Sequence, residues 1–292
     1  MSAAWSYSAA FSRNLGLLTP AEQERVRGRC VAIAGLGGVG GVHLITLARL
    51  GVGAFHLADF DHFDVPNFNR QYGAMVQTIG QNKLEVIAEA ARQINPEVKL
   101  TLFREGLTPQ NCERFATGAD VILDGIDFFA IDARRLLFRT AQQHGLYALT
   151  SGPLGFGATL HTFSPTGMSF ERYFDFHDVM DNLDQLIAFM VGLAPQSLHL
   201  KYLDLARVDV SARTGPSSGI ACQLCSALIG AEAVKILLDQ KPARVAPWYF
   251  QFDPYLQRYV RGYLWLGNRH PKQRLKRWLL KRSLLKKNPS IV

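Results

Sequence analysis

The regular pattern begins at Thr19-Pro20-Ala21-Glu22, where a capping threonine, a proline at the first helical position and a glutamate three residues after the cap predict a short helix to about Arg27. The apolar run from Cys30 to Ala34 then reads as a buried strand ending in Gly35. Beyond the glycines, Val42 to Leu50 has helical character, Ala54 to Ala58 reads as a second strand, and Lys83 to Ile94 as a helix closed by Asn95-Pro96. Strands are predicted at Val98 to Phe103, Val121 to Leu123 and Tyr147 to Thr150, with a helix over Ile131 to His144. The alternation predicts an α/β fold, a Rossmann-like and mostly parallel sheet with helices on both faces.

From about Phe170 to Ser218 the pattern weakens. Acidic and aromatic residues (Glu171, Tyr173, Asp175, Phe176, Asp178) lead to the turn-prone Thr214-Gly215-Pro216-Ser217-Ser218-Gly219, which suits a crossover segment or lid. Ala221 to Leu238 then reads as a helix, and Trp248 to Asp253 as a late strand in an antiparallel portion. Pro271 to Lys287 sets Leu275, Trp278, Leu279 and Leu285 roughly on one face of a basic C-terminal helix. With no internal repeat and no obvious linker, the simplest parse is one domain over residues 1–257 and a basic extension over 258–292.

Composition adds limits. At 292 residues, 48% of them apolar, the chain can build a substantial core. The longest apolar candidate for a membrane span, Leu186 to Ala194, stops at Pro195, short of the roughly 18 residues a span needs. Met1 to Phe11 lacks the basic start and long apolar stretch of a secretion signal, and four scattered cysteines do not make a disulfide framework. A cytoplasmic location is expected. The net charge of +8 is uneven: from Arg258 onward there are eleven Lys/Arg and no Asp/Glu, so the body is slightly acidic. That tail could dock on the protein's own body, or meet an anionic membrane surface or RNA.

The candidate chemistry starts at Gly35-Leu36-Gly37-Gly38-Val39-Gly40, which follows a strand and opens a helix. There backbone N–H groups and the helix dipole can approach a phosphate. Asp59, about twenty positions on, could hold ribose hydroxyls of ATP or of a nicotinamide or flavin dinucleotide, so a dehydrogenase is the competing reading. The stretch Asp59-Phe60-Asp61, then Asn67-Phe68-Asn69-Arg70-Gln71 and Gly80-Gln81-Asn82-Lys83, tilts the choice. Hydride transfer has no evident need for that Arg and Lys. Splitting ATP between its α- and β-phosphates does, because charge builds on phosphoryl oxygens and on departing pyrophosphate. Asp127, in Leu123-Asp124-Gly125-Ile126-Asp127 just beyond a strand, could hold Mg²⁺.

At these residues the chain resembles the ThiF/MoeB/HesA superfamily, to which ubiquitin-activating enzymes also belong, over roughly Phe11 to Phe163 and weakly again at Leu228 to Leu238. The resemblance matches Phe11-Ser12-Arg13-Asn14 to a leading arginine motif, the glycine run to the nucleotide loop, and Asp59 to the ribose-binding aspartate. It matches Asn67, Arg70 and Gln71 to a polar group around the phosphates, Lys83 to the phosphate lysine and Asp127 to the Mg²⁺-linked aspartate. It implies adenylation of a carboxylate by Mg-ATP, and a homodimer in which Arg13 acts in the partner's site. The carboxylate could belong to a ubiquitin-like or sulfur-carrier protein, a peptide or a small molecule. A tRNA threonylcarbamoyladenosine dehydratase-like enzyme is a further reading.

The chain also departs from the family pattern. Cys222-Gln223-Leu224-Cys225 is the single CxxC pair, so the four-cysteine structural zinc of many members is not expected. No cysteine lies between Asp178 and Ser218, where members that form thioesters or persulfides usually carry one. Cys222 and Cys225 are expected as small core side chains one helical turn apart. The family's frequent Asp-Asn is Asp127-Phe128 here, followed by Phe129, which suggests an aromatic lip for a different acyl group or simple packing.

Overall fold

The computed structural model describes residues 4–209, 212–242 and 244–287; positions 210–211 of the predicted crossover and 288–292 of the basic extension lie outside the described residues. Helix α1 (Tyr7–Ala10) precedes α2 (Pro20–Arg27), β1 (Cys30–Ala34), α3 (Gly40–Leu50), β2 (Ala54–Ala58), α4 (Lys83–Ile94), β3 (Lys99–Phe103) and α5 (Cys112–Ala116). Then come β4 (Val121–Asp124), α6 (Ile131–Gln143), β5 (Tyr147–Thr150), β6 (Pro153–Leu154) and β7 (Gly157–Phe163). The chain continues through α7 (Phe170–Phe174), α8 (Asn182–Leu193), α9 (Gly219–Leu237), β8 (Trp248–Asp253), β9 (Arg258–Tyr263) and α10 (Pro271–Lys287).

The strands lie in the order β3-β2-β1-β4-β5-β7-β8-β9, with β6 paired to the start of β7. From β3 to β5 neighbours are parallel; from β5 onward they are antiparallel. Alternate residues of β1 feed two cores, because successive side chains of a strand point to opposite faces. Val31 and Ile33 pack with Leu44 and Leu47 of α3, Ile87 of α4 and Ile229 of α9. Ala32 and Ala34 pack with Phe138 of α6, Phe163 of β7 and Phe189 of α8. Helix α10 lies outside α8 as a further layer.

Local sequence explains most boundaries. The Thr19 hydroxyl accepts from Glu22 N while the Glu22 carboxylate accepts from Thr19 N, the reciprocal cap read from the sequence at α2. Strands β7 and β9 are among the elements that escape the hydropathy pattern. Strand β7 is buried, yet carries Thr159, His161 and Thr162 in its interior; Thr159 Oγ1 accepts from Gly152 N at 3.1 Å and His161 Nε2 meets Tyr173 Oη at 3.1 Å. Pairing of Thr159 and of one His161 nitrogen lets those groups tolerate burial, although His161 Nδ1 has no partner among the described residues, and the strand does not read as apolar. Edge strand β9 carries Arg258 and Arg261, charges that edge strands use against unwanted pairing.

The stretch expected as a crossover or lid contains α8, a core helix capped by Asp181, whose Oδ1 accepts from Asp184 N at 2.6 Å. Helix α9 has the length and composition to cross a bilayer, contrary to the expectation that no segment does. It packs instead against α3 and β7, with Cys225, Ile229 and Ala233 fully buried.

Candidate nucleotide-binding site

Strands β1 and β4 are neighbours, but the helices that follow them, α3 and α6, cover opposite faces of the sheet. This is the switch point at which doubly wound sheets open a crevice beyond the strands' carboxyl ends. Gly35, at φ +83°, turns the chain out of β1. Side chains on Gly35, Gly40 or Gly125 would overlap backbone atoms of the other two glycines' loops, so glycine alone permits this approach. Gly125 was quoted in its motif but given no role by the sequence reading; its place immediately after a buried strand was the available signal. At the start of α3, Val39 supplies no side-chain cap, which leaves first-turn N–H groups to an anion.

Asp59 sits at the end of β2, 8% exposed, and braces the glycine loop: its Oδ2 accepts from Leu36 N at 2.6 Å and its Oδ1 from Asp61 N at 2.8 Å. Burial pushes its carboxyl above the ordinary value, against the downward pull of those two amides and of Lys83. The chain from Asp61 to Phe63 pairs back on residues 81–83, so Lys83 enters α4 beside the two aspartates. Its Nζ lies 3.1 Å from Asp61 Oδ2, with the lysine side chain 8% exposed and the aspartate open to solvent.

Asn67, Arg70 and Gln71 share one turn, in which Asn67 O accepts from both Arg70 N and Gln71 N. Asn67 Oδ1 itself accepts from Asp64 N at 3.0 Å. Arg70 donates to Pro66 O and Asn69 Oδ1, and its aliphatic stem lies 3.7 Å from where a Cβ on Gly38 would stand. Gln71 Nε2 is 3.7 Å from the corresponding point at Gly37, and its Oε1 is buried with no partner among the described residues.

Helix α9 begins against the same turn: Gly219 N donates to Asn69 O and Asn69 Nδ2 to Ser217 O. Cys222 Sγ comes within 3.1 Å of the Cβ position at Gly38, yet the residue is buried and burial pushes its thiol up to about 11. Cys225, deeper still, is also raised by burial. Arg213 Nη2 donates to Phe129 O at 3.2 Å, so the chain from Arg213 to Gly219 spans from the loop after β4 to Asn69. Phe156, Tyr202 and Tyr255 stack beside it, and Ser218 Oγ donates to Gly155 O. This strap falls on the turn-prone Thr214 to Gly219 expected as part of a crossover segment or lid, whereas the aromatic wall was not visible in the sequence, since its partners are far apart along the chain.

Asp127 lies exposed on the loop after β4, where its Oδ1 accepts from Phe129 N at 2.9 Å. Below it Asp124 and Arg134 form a buried ion pair of 2.7 Å, and Arg134 also donates to the carbonyls of Ile126, Asp127 and Phe128. Arg134 lies over the Phe189 ring, and Phe128 packs against the same ring at 5.3 Å, so half of the expected aromatic lip turns inward. The glycine loop, Asp59, Asp61, Arg70, Gln71 and Lys83 are thus brought together, with Asp127 on the adjoining loop and Asn67 at the base of its turn. Arg13 is not: its neighbour Asn14 donates to Leu50 O at the far end of α3, about 15 Å along the helix from Gly40.

A doubly wound sheet with a glycine loop at its switch point, a carboxylate after β2 and cations around both defines a nucleotide-binding α/β protein. Residues 11–275 match the ThiF family, and the chain belongs to it. It is 32% identical over 151 residues to the tRNA threonylcarbamoyladenosine dehydratase of Haemophilus influenzae, covering 51% of this chain and 57% of that one. It is 28% identical over 221 residues to the probable adenylyltransferase/sulfurtransferase MoeZ of Mycobacterium tuberculosis, covering 74% and 49%. The chain spans about half the length of the curated relatives it matches. Among solved structures, PaaA superposes with a TM-score of 0.66 at 19% identity, covering 90% and 85% of the two chains. The Escherichia coli dehydratase TcdA in complex with ATP superposes at 0.58 and 21% identity, covering 80% and 95%. At such identities the likeness is one of fold.

Proposed function

We propose that the protein is an ATP-dependent adenylyltransferase that joins a carboxylate to AMP and releases pyrophosphate. The observation that carries this reading is a glycine loop with the uncapped start of α3, the Arg70 stem against Gly38, and Lys83 held on Asp61, whose backbone N–H donates to the loop-bracing Asp59. A carboxylate oxygen attacks the α-phosphorus, the bond from that phosphorus to the bridging oxygen breaks, and pyrophosphate departs with the electron pair. No protein nucleophile is needed; the chain positions the reactants and offsets developing charge. Asp59 fixes the ribose, Gln71 Oε1 offers a buried acceptor beside Gly37, and Arg70 and Lys83 face the phosphates. Lys83 must leave Asp61 to do so, which the solvent-open aspartate permits.

Mg²⁺ takes one or two carboxylates together with phosphate oxygens and waters, and Asp127 fits as one such carboxylate. When bound, the ion would neutralise phosphate charge. Among the described residues no group of three or more His, Cys, Asp or Glu forms a cage of its own. The relative MoeZ is named a probable adenylyltransferase and TcdA has been solved with ATP, both of which support the reading. Phe60, Val65, Tyr72, Met75 and Val76 are exposed on one segment next to the site. A second copy covering that segment and supplying Arg13 in trans accounts for the distance of Arg13 from its own glycine loop.

Carboxylate-dependent exchange of labelled pyrophosphate into ATP tests the reaction. Lys83→Ala, Arg70→Ala and Asp127→Ala should each lower exchange about 100-fold or more, the usual loss for one group that stabilises developing charge. Binding of NAD(H) in preference to ATP would sink the proposal. The 32% identity to a tRNA threonylcarbamoyladenosine dehydratase favours a second reading, in which the carboxylate is that of the modified nucleoside. Loss of one water from that nucleoside in tRNA, followed by mass spectrometry, separates the two.

A further inference from the structure

Helix α10 is mounted with its polar side inward. Gln273 Nε2 donates to Val191 O at 3.0 Å, Lys276 Nζ to Pro195 O, Arg277 pairs with Asp175 at 2.8 Å and Lys281 with Asp184 at 2.6 Å. These contacts hold the helix on α7 and α8, and they pair Arg277 and Lys281 with carboxylates. The face turned to solvent carries Leu275, Trp278 and Leu279, exposed by 56%, 53% and 52%, in place of the polar residues an outer face normally shows. Around that stripe stand Lys272 and Arg274, neither with a carboxylate partner among the described residues, and Arg282, whose guanidinium lies 5.0 Å over the Trp278 ring. The expectation that the tail docks on the body is therefore met by its polar side, while Leu275 and Leu279 stay more than half exposed and the Trp278 ring is met by Arg282 of the same helix.

We propose that the outward face of α10 binds an anionic lipid bilayer surface, lying in the plane of the headgroups. An indole with two neighbouring leucines suits the boundary between headgroups and acyl chains, and the surrounding cations suit lipid phosphates. The chain from Arg258 onward carries no acidic residue, so pairing α10 with its copy across a two-fold axis sets like charges against each other. RNA would engage the cations but leave Leu275 and Leu279 in water, since aliphatic side chains give bases no ring to stack on. A bilayer satisfies both parts of the surface. The adenylation site lies on other elements, so this proposal and the proposed reaction fail independently.

Flotation of the full chain with vesicles tests it. The protein should float with vesicles of phosphatidylcholine and phosphatidylglycerol in equal parts, and much less with phosphatidylcholine alone. Leu275→Ser with Leu279→Ser, and separately Arg274→Glu with Arg282→Glu, should each weaken binding at least about tenfold, without lowering Tm, because these side chains face solvent. Tryptophan emission should shift to the blue on vesicle addition, and that shift should shrink in Trp278→Phe, a variant that keeps an aromatic ring. Pyrophosphate exchange should be unchanged in all three variants. Absence of flotation, flotation untouched by the leucine substitutions, or loss of tRNA binding or self-association instead of vesicle binding would each overturn the assignment.

Discussion

A methyl group on Gly125 would enter the space held by Gly35 O and the Gly40 backbone. These are main-chain atoms just after β1 and at the start of α3, so nothing flexible can give way. Gly125→Ala should therefore cost about 1–3 kcal/mol in urea unfolding and weaken ATP binding more than it weakens the fold. The neighbouring residues proposed to meet the nucleotide, Asp59, Arg70, Gln71, Lys83 and Asp127, stood out in the sequence as charged or amide types after the glycine run. Gly125 was not assigned, since a lone glycine gives no sign of what approaches it. Arg134 was missed for a related reason. A charged residue inside a helix reads as a solvated face, and only the fold shows that it is buried on Asp124.

Among the elements, the loop after β4 is held from beneath by α6 through Arg134, and Phe189 of α8 stacks on the same guanidinium. Replacing Arg134 by Met removes one half of a buried ion pair and leaves Asp124 uncompensated. The expected loss is about 3–5 kcal/mol, read from the urea midpoint, and the double change with Asp124→Asn should recover part of it. Most elements up to Thr150 were visible as alternating strand and helix patterns, several with their end residues, because both faces of a parallel strand are apolar. The antiparallel half was harder to read. Strand β7 hides behind its threonines and a buried histidine, β9 hides behind edge charges, and α8 hides in a stretch whose acidic residues bind Arg135, Arg269 and Arg277. Long-range pairing decided each of these, and sequence pattern reports only near neighbours.

Across the whole molecule, three buried imidazoles couple stability to acidity. Burial lowers His43 and His161 from 6.5 to about 3, and His199 to about 4. Because the unfolded chain takes up these protons near 6.5 and the folded one does not, their contribution is intact above that pH and is lost as pH falls toward the folded values. Each should steepen the decline by up to about 1.4 kcal/mol per pH unit. Asp59, raised by burial, runs the other way, one group against three. Urea unfolding between about pH 7 and pH 5 measures the slope, and His43→Leu should flatten it, because neither ring nitrogen of His43 has a hydrogen-bond partner among the described residues.

The division of the sheet into a parallel and an antiparallel half has a consequence for substitution. The parallel strands β3, β2, β1, β4 and β5 all finish at one rim, so the proposed nucleotide seat is set by the course of the main chain. What lies opposite it at that rim, the β6–β7 turn, the strap and the start of α9, is supplied by chain added after Thr150. On the proposed reaction, the acid would be received by that second bank and the phosphates by the parallel half, so the two can be altered separately by substitution.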